Sequence, residues 1–339
     1  MSAKISQRTT LTIVLLACVI FFASPALASV GDRLPEFKTC LSHCVEKECN
    51  PNGHGLPLYM RLLFWTCPQN CDYVCQHLVT ASRIHQDLSI EQFHGKWPFL
   101  RMLGIQEPAS VLFSVLNFIP HYYGLKTISK LTASSGTISD TTALTPFLVL
   151  VYKGFALVGM NAWVWSSVFH VRDFVLTERL DYFSAGLTVT YGFFTATVRV
   201  FRLDLPKHAN LRYLLILICI TAYVSHVSYL SFVTFSYSYN MLANVVVGLL
   251  QNTLWIYHSI STYQASKSSN GSRSWKLWPG LIVLSITLAM SLELFDFPPI
   301  LGILDAHALW HAGTVLPTMW WYAYMKRDIK ELKTIKQKE

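Results

Sequence analysis

The sequence predicts an all-α membrane protein: seven transmembrane helices behind an N-terminal, disulfide-rich helical-hairpin lumenal domain. Three observations predict it. The 339 residues are 52% hydrophobic and only 14% charged, against about 25% charged in ordinary soluble domains, and the mean hydropathy is +0.37. Apolar runs of near-spanning length recur from residue 108 onward. Six cysteines crowd into residues 40–75. Together these exclude a disordered chain, a coiled coil and an ordinary cytosolic domain.

The N-terminus comes first. Lys4 and Arg8 precede the apolar run Leu11 to Ala23, Pro25 ends it, and the small-residue site Ala26-Leu27-Ala28 follows. That order is the n-region, h-region and cleavage site of a secretory signal. Residues 1–28 are therefore read as a cleaved signal peptide, and the mature chain begins near Ser29 in an oxidising lumen.

Residues 29–107 form the expected lumenal six-cysteine domain. An even cysteine count in a short exported segment reads as a disulfide framework, for which fifteen pairings exist. Zinc ligation is the alternative reading of the same thiols, and the signal peptide favours disulfides. The C-x3-C spacings place Cys40 and Cys44, and Cys67, Cys71 and Cys75, one helical turn apart on a face. Two antiparallel helices would then pair Cys40 with Cys75, Cys44 with Cys71 and Cys49 with Cys67. The turn signal Asn50-Pro51-Asn52-Gly53 lies between the two groups. Residues 96–107, bounded by Trp97, Pro98 and Pro108, read as the junction to the bundle.

Seven candidate spans follow, 108–125, 145–168, 182–198, 213–230, 238–258, 277–295 and 307–325. Each is near the ~20 residues needed to cross ~30 Å of hydrocarbon, although Thr, Ser and Tyr dilute 182–198 and 213–230. The bundle is thus 108–325, and residues 326–339 form a basic cytosolic tail. A lumenal residue 107 and an odd number of spans put the C-terminus in the cytosol. The positive-inside rule agrees. The cytosolic segments hold Lys126, Lys130, Arg199, Arg202, Lys207, Arg212, Lys267, Arg273, Lys276, Lys326, Arg327, Lys330, Lys333, Lys336 and Lys338. The short lumenal loops hold only Arg172 and Arg179.

Polar residues inside a membrane bundle are costly and become functional candidates by default. Asn117, Asn161, Asn240 and Asn244 read as interhelical hydrogen-bond partners, Lys153 as a lipid or helix contact, and His121, His226 and His258 as interfacial histidines near span ends. One set converges. His307 and His311 form H-x3-H at the start of the last span, so they share one helix face. Ser166 and His170 form S-x3-H at the end of the second span, and Asp181 opens the third after a loop at 171–180. In this topology all five lie at one depth, just inside the lumenal face. Three neutral histidines with an open fourth position are a catalytic zinc arrangement. The metal serves as a Lewis acid and acidifies bound water. Asp181 is placed to shuttle a proton, and Ser166 to donate a hydrogen bond to an oxyanion.

The stretches Asn161-Ala-Trp-Val-Trp-Ser-Ser-Val-Phe-His170, Leu180-Asp-Tyr-Phe-Ser-Ala185 and Leu304-Asp-Ala-His-Ala-Leu-Trp-His311 resemble the GPI-anchor lipid remodelling factors. This is the family of post-GPI-attachment-to-proteins factor three and its fungal PER-one relatives. The resemblance covers nearly the whole mature chain, the six-cysteine segment included. It implies a phospholipase A2-type hydrolase that removes the sn-2 acyl chain from the lipid of GPI-anchored proteins in the endoplasmic reticulum or Golgi membrane. It also implies zinc on His170, His307 and His311, with Ser166 and Asp181 as catalytic residues. The wider CREST superfamily, with alkaline ceramidases and the progestin and adiponectin receptors, shares the Ser, Asp and three-His pattern. That pattern alone therefore leaves open a ceramidase-like lipid amidase, or a non-catalytic lipid-binding receptor or chaperone with structural zinc. The cysteine-rich domain narrows the match to the GPI family. The tail Lys336-Gln-Lys338-Glu339 resembles a dilysine retrieval signal, but its lysines stand second and fourth from the end, so it does not fix the compartment.

The formal charge of +8 is explained by location. The basic excess lies on the cytosolic side, as orientation requires, so no nucleic-acid partner is implied. Asn270-Gly271-Ser272 matches a glycosylation acceptor yet falls in a cytosolic loop. Endoglycosidase treatment should leave the electrophoretic mobility unchanged, and a glycan at Asn270 would reverse the orientation.

Overall fold

In a computed structural model, residues 29–49, 55–133, 142–266 and 273–335 are described. The segment 1–28 read as a signal peptide, the turn signal at 50–53, Lys267, Asn270-Gly271-Ser272, Lys336 and Lys338 lie outside them. The described residues are helical, with no strand beyond three isolated bridges. The N-terminal cysteine-rich segment holds α1 (Val30–Arg33), α2 (Pro35–Glu48), α3 (Leu58–Leu62) and α4 (Cys67–His85). Disulfides join Cys40 to Cys75, Cys44 to Cys71 and Cys49 to Cys67, with Cα atoms 5.6 to 5.8 Å apart. Such nested bridges run α2 antiparallel to α4. With all six sulfurs bridged, none is a thiolate for a metal. Phe37, Val79 and Phe93 close a small core against Cys75. At Gly31, an added Cβ would stand 2.5 Å from the Gln92 carbonyl, so that junction requires glycine.

Seven longer helices follow: α5 (Pro108–Ala133), α6 (Pro146–Val171), α7 (Val175–Val200), α8 (Ala209–Phe232), α9 (Tyr237–Ala265), α10 (Trp278–Met290) and α11 (Ala306–Thr334). Their starts follow capping chemistry. Thr145 Oγ1 accepts from Leu148 N–H at 3.1 Å, Ser236 Oγ from Tyr239 N–H at 3.3 Å, and Asp305 Oδ1 from Ala308 N–H at 2.8 Å. Among the described residues, three segments are long and apolar enough to cross a membrane: Pro146–Val171, Pro206–Phe232 and Ser274–Glu293. Leu-, Ile- and Val-rich turns make Pro206–Phe232 the most apolar of them, at a mean hydropathy of 1.8, and outweigh the Thr, Ser and Tyr that dilute it in sequence.

Packing makes α5, α6, α7, α9, α10 and α11 a closed ring, each touching the next, with α8 outside against α7. Only 11% of the apolar window of α8 is buried, leaving most of its surface for lipid. Close approaches tie α5 into the ring. A Cβ on Gly159 of α6 would stand 2.1 Å from the His121 ring, and one on Gly124 of α5 2.1 Å from Tyr322 of α11. His121 is therefore not an interfacial helix-end residue. Helix α5 runs on to Ala133, and His121 is buried at mid-helix with Nδ1 2.6 Å from the Tyr322 hydroxyl.

At the end of the bundle remote from His311, about 26 Å along α11, Arg199 donates to Asp328 through Nε at 2.8 Å and Nη2 at 2.5 Å. Tyr152 donates to the same carboxylate at 2.7 Å. Arg199 thus belongs to a buried ion pair and not to an exposed basic loop. Asp328→Ala strands a buried guanidinium and should lower stability by about 3–5 kcal/mol. The double variant Arg199→Met with Asp328→Leu should recover most of it, both read by thermal unfolding of the detergent-solubilised protein.

Candidate metal centre

The site is assembled from the ends of three ring helices and one strap from the cysteine-rich segment. His170 is on the last turn of α6, and His307 and His311 are on the first two turns of α11, whose start Asp305 caps. Helix α5 contributes Ser114 and Asn117, and the Asn117 amide donates to the His311 carbonyl at 2.8 Å. The three imidazoles pack with centroids 4.5, 5.1 and 5.2 Å apart, and Trp163 and Trp310 close on their edges. His170 and His311 are 2% and 3% exposed, so water reaches neither freely.

Hydrogen bonds fix what each ring presents. A carboxylate only accepts, so His170 Nδ1–H donates to Glu107 Oε2 at 2.7 Å, and His307 Nδ1–H to Glu293 Oε2 at 2.9 Å. Burial alone would push the Glu107 carboxyl up. Lys96, whose Nζ lies 2.6 Å from Oε1, and His170 hold it well below the usual carboxylate range, and it stays an acceptor. Tyr237 donates to the other Glu293 oxygen at 3.0 Å. The Ser114 hydroxyl donates to the Ser110 carbonyl at 2.7 Å. Its oxygen is then an acceptor for His311 Nδ1–H at 3.1 Å and for the Ser166 hydroxyl at 3.0 Å. All three rings therefore donate through Nδ1 and turn Nε2 inward. One ring nitrogen from each histidine lies within 4.8 Å of those of the other two. The Nε2 atoms of His170 and His307 are 3.3 Å apart.

Two imidazole nitrogens at that separation need positive charge between them, either a proton, with one ring an imidazolium donating Nε2–H to the other, or a metal ion. Carboxylate-anchored histidines are the usual support of metal ligands, so the donor set fits a metal ion. Ser166 belongs to this support as well. Its proton is directed at Ser114, and donation to an oxyanion requires the hydroxyl to rotate away.

Asp181 does not open its helix. Thr177 Oγ1 accepts from Phe174 N–H at 2.9 Å and starts α7 at Val175, so the loop read at 171–180 is only Arg172–Phe174 and Asp181 lies in the second turn. It makes no hydrogen bond or ion pair among the described residues, and it is close enough to couple electrostatically with His307 and Lys96. Of the four asparagines, Asn161 donates to Ser184 at 2.9 Å and Asn240 accepts from Asn244 at 3.2 Å. His226 lies 3.1 Å from Asn240, and His258 lies 3.0 Å from the Tyr324 hydroxyl.

Sequence reasoning missed Glu107, Glu293 and Ser114. Glu107 stands immediately before Pro108 at the bundle junction, which was a signal in hand. Glu293 had only its position at the edge of an apolar run, and Ser114 had none.

A helical ring with three inward-turned histidines at one end defines a polytopic membrane protein with a candidate metal centre. Residues 57–329 match the model of the Per1-like family, and the chain belongs to that family. It is 44% identical to the protein PER1 homolog of Schizosaccharomyces pombe, over 91% of this chain and 92% of the relative. It is 38% identical to protein PER1 of Saccharomyces cerevisiae, over 95% and 97%. The GPI-specific phospholipase A2-like PGAP3 of Danio rerio is 36% identical over 93% and 95%. No solved structure matches.

Removing an orienting carboxylate frees its imidazole to rotate. Glu107→Ala and Glu293→Ala should each weaken metal retention by about 10–100-fold, read as metal content after dialysis against a chelator series. Glutamine, which still accepts from Nδ1–H, should retain more.

Proposed function

We propose that the chain is a zinc-dependent, phospholipase A2-type hydrolase that removes the sn-2 acyl chain from the lipid of GPI-anchored proteins. Its seven long helices span the membrane of the endoplasmic reticulum or early secretory pathway, with residues 29–107 and the histidine cluster lumenal and the C-terminus cytosolic. The names of its PGAP3 relatives support the substrate class. The observation that carries the chemistry is the 3.3 Å approach of His170 and His307 through Nε2, with every Nδ1 already committed. Neighbouring nitrogens around a tetrahedral zinc ion with ~2.0–2.1 Å bonds stand ~3.3–3.4 Å apart.

His170, His307 and His311 would hold the ion through Nε2. Bound there, zinc supplies a Lewis acid for the ester carbonyl and lowers the pKa of water. The chain's own residues do the rest. Glu107, Glu293 and Ser114 hold the rings in the donating tautomer, so no reorganisation is needed as charge develops. Asp181 has an unclaimed carboxylate, which takes the proton of the attacking water and passes it to the departing lyso-lipid oxygen. Ser166, once its hydroxyl turns from Ser114, donates to the carbonyl oxygen. The apolar faces of the ring helices accommodate acyl chains, and the tryptophans around the histidines limit stray water.

His307→Ala should abolish sn-2 removal and bound zinc, measured by mass spectrometry of released GPI lipid and by elemental analysis. Normal values of both would end this reading. Asp181→Asn should lower turnover by about 10²–10⁴-fold while zinc content and folded yield hold. Unimpaired function in that variant would instead favour a lipid-binding protein with structural zinc.

A further inference from the structure

Positively charged side chains are scarce in short lumenal loops, and the chain places Arg172 in one, two residues beyond His170. Its guanidinium packs 3.8 Å from the Trp65 ring centroid. A second guanidinium, that of Arg101, packs 4.3 Å from the same ring. Neither makes a salt bridge among the described residues. Arg101 donates through Nη2 to Asn70 Oδ1 at 2.7 Å, and Arg172 through Nη1 to the Asp173 carbonyl at 3.0 Å. Arg101 Nη1 and Arg172 Nε are buried with no partner. The nearby Asp173 carboxylate is taken by Lys96 at 2.9 Å.

Arg172 is only 8% exposed. Buried charges are ordinarily paired, because leaving water without a counter-charge is costly. Stacking on an indole offsets part of that cost, but it does not remove the repulsion between two like charges sharing one ring. The pair lacks an anion. Guanidinium forks match phosphate geometry better than a lysine point charge does.

Position identifies the source of that phosphate. The strap carrying Arg101 pairs with the end of α6, where Glu107 N–H donates to the His170 carbonyl at 3.0 Å. The arginines therefore flank the histidine cluster directly. Beside them Phe64, Leu103 and Phe174 are exposed, and Phe64 meets Phe174 edge-on at 6.4 Å. An apolar collar around buried positive charge suits a lipid whose headgroup phosphate enters while its chains stay in the bilayer.

We infer that Arg101 and Arg172, held on Trp65 of the disulfide domain, form a binding site for the headgroup phosphodiester of a membrane phospholipid. The inference rests on the proposed function for its lipid and specifies how that lipid is recognised. The phosphate fixes the headgroup at the rim, and its neighbouring ester is thereby presented to the histidines.

Calorimetric binding to the full-length protein in detergent micelles tests it without turnover, so a protein that binds but does not hydrolyse would sink the hydrolase reading alone. Dioctanoyl phosphatidylinositol should bind at least about tenfold more tightly than dioctanoylglycerol, as a charge-assisted contact implies. Arg172→Gln and Arg101→Gln should each reduce that preference to about threefold or less, with metal content and melting temperature unchanged. Arg172→Lys should restore part of it. Equal binding of the two lipids by the unaltered protein overturns the inference, whatever the variants do. So does a preference that survives in both glutamine variants. Inorganic phosphate binding as tightly as the phosphatidylinositol also overturns it, since the site would then take the free anion.

Discussion

His170 and His307 bring their Nε2 atoms to 3.3 Å, a contact that requires a proton or a metal ion between the two nitrogens, and the surrounding groups enforce it. Each ring could leave the contact by turning, but Glu107 and Glu293 grip the far nitrogens, and Ser114 does the same for His311. The carboxylates are fixed in turn, Glu107 by Lys96 and Glu293 by Tyr237. The arrangement is a chain of acceptors, each committed before it reaches the ring it serves. It makes sense if a cation holds the three Nε2 atoms together, and much of the structure around it is explained by the need to keep those rings still.

The bundle meets that need by close packing rather than by strong local propensity. Helix α5 carries no histidine of the centre, yet it supplies Ser114 to one ring and Asn117 to the backbone of α11. It reaches both because Gly159 and Gly124 let the His121 and Tyr322 rings lie directly on helix backbone. The buried Arg199–Asp328 pair ties α7 to α11 at the opposite end. Fixing a helix at two distant points sets its rotation, and the rotation of α11 decides whether His307 and His311 face the centre.

The N-terminal cysteine-rich segment has a part in the same constraint. Its three disulfides hold α2 on α4, and the strap that follows delivers Lys96, Arg101 and Glu107 to the end of α6. Trp97 and Gln92 donate to Asp296, which ties the segment to the loop preceding α11. The cysteine-rich region is therefore joined to the histidine site by direct contacts, and Trp65 carries that connection to the two arginines.

The sequence by itself determined the all-helical class, the six-cysteine segment and the three histidines that gather at one end of the helices. Those features are periodic or compositional: apolar run length, C-x3-C and H-x3-H spacing, and chain direction at each crossing. The start of α7 was missed because Thr177 caps it, and a cap competes with hydropathy over only a few residues. The role of His121 was misread because a span estimated from apolar content ended before the helix did. Only the tertiary structure decided which acceptor holds each imidazole, since Glu107, Glu293 and Ser114 precede their partners by 63, 14 and 197 residues. It also decided that Ser166 rests on Ser114, and that Arg101 and Arg172 share one indole. No spacing rule encodes such contacts, because they depend on helix rotation and on a strap laid across the bundle, and many residues far apart in sequence set both.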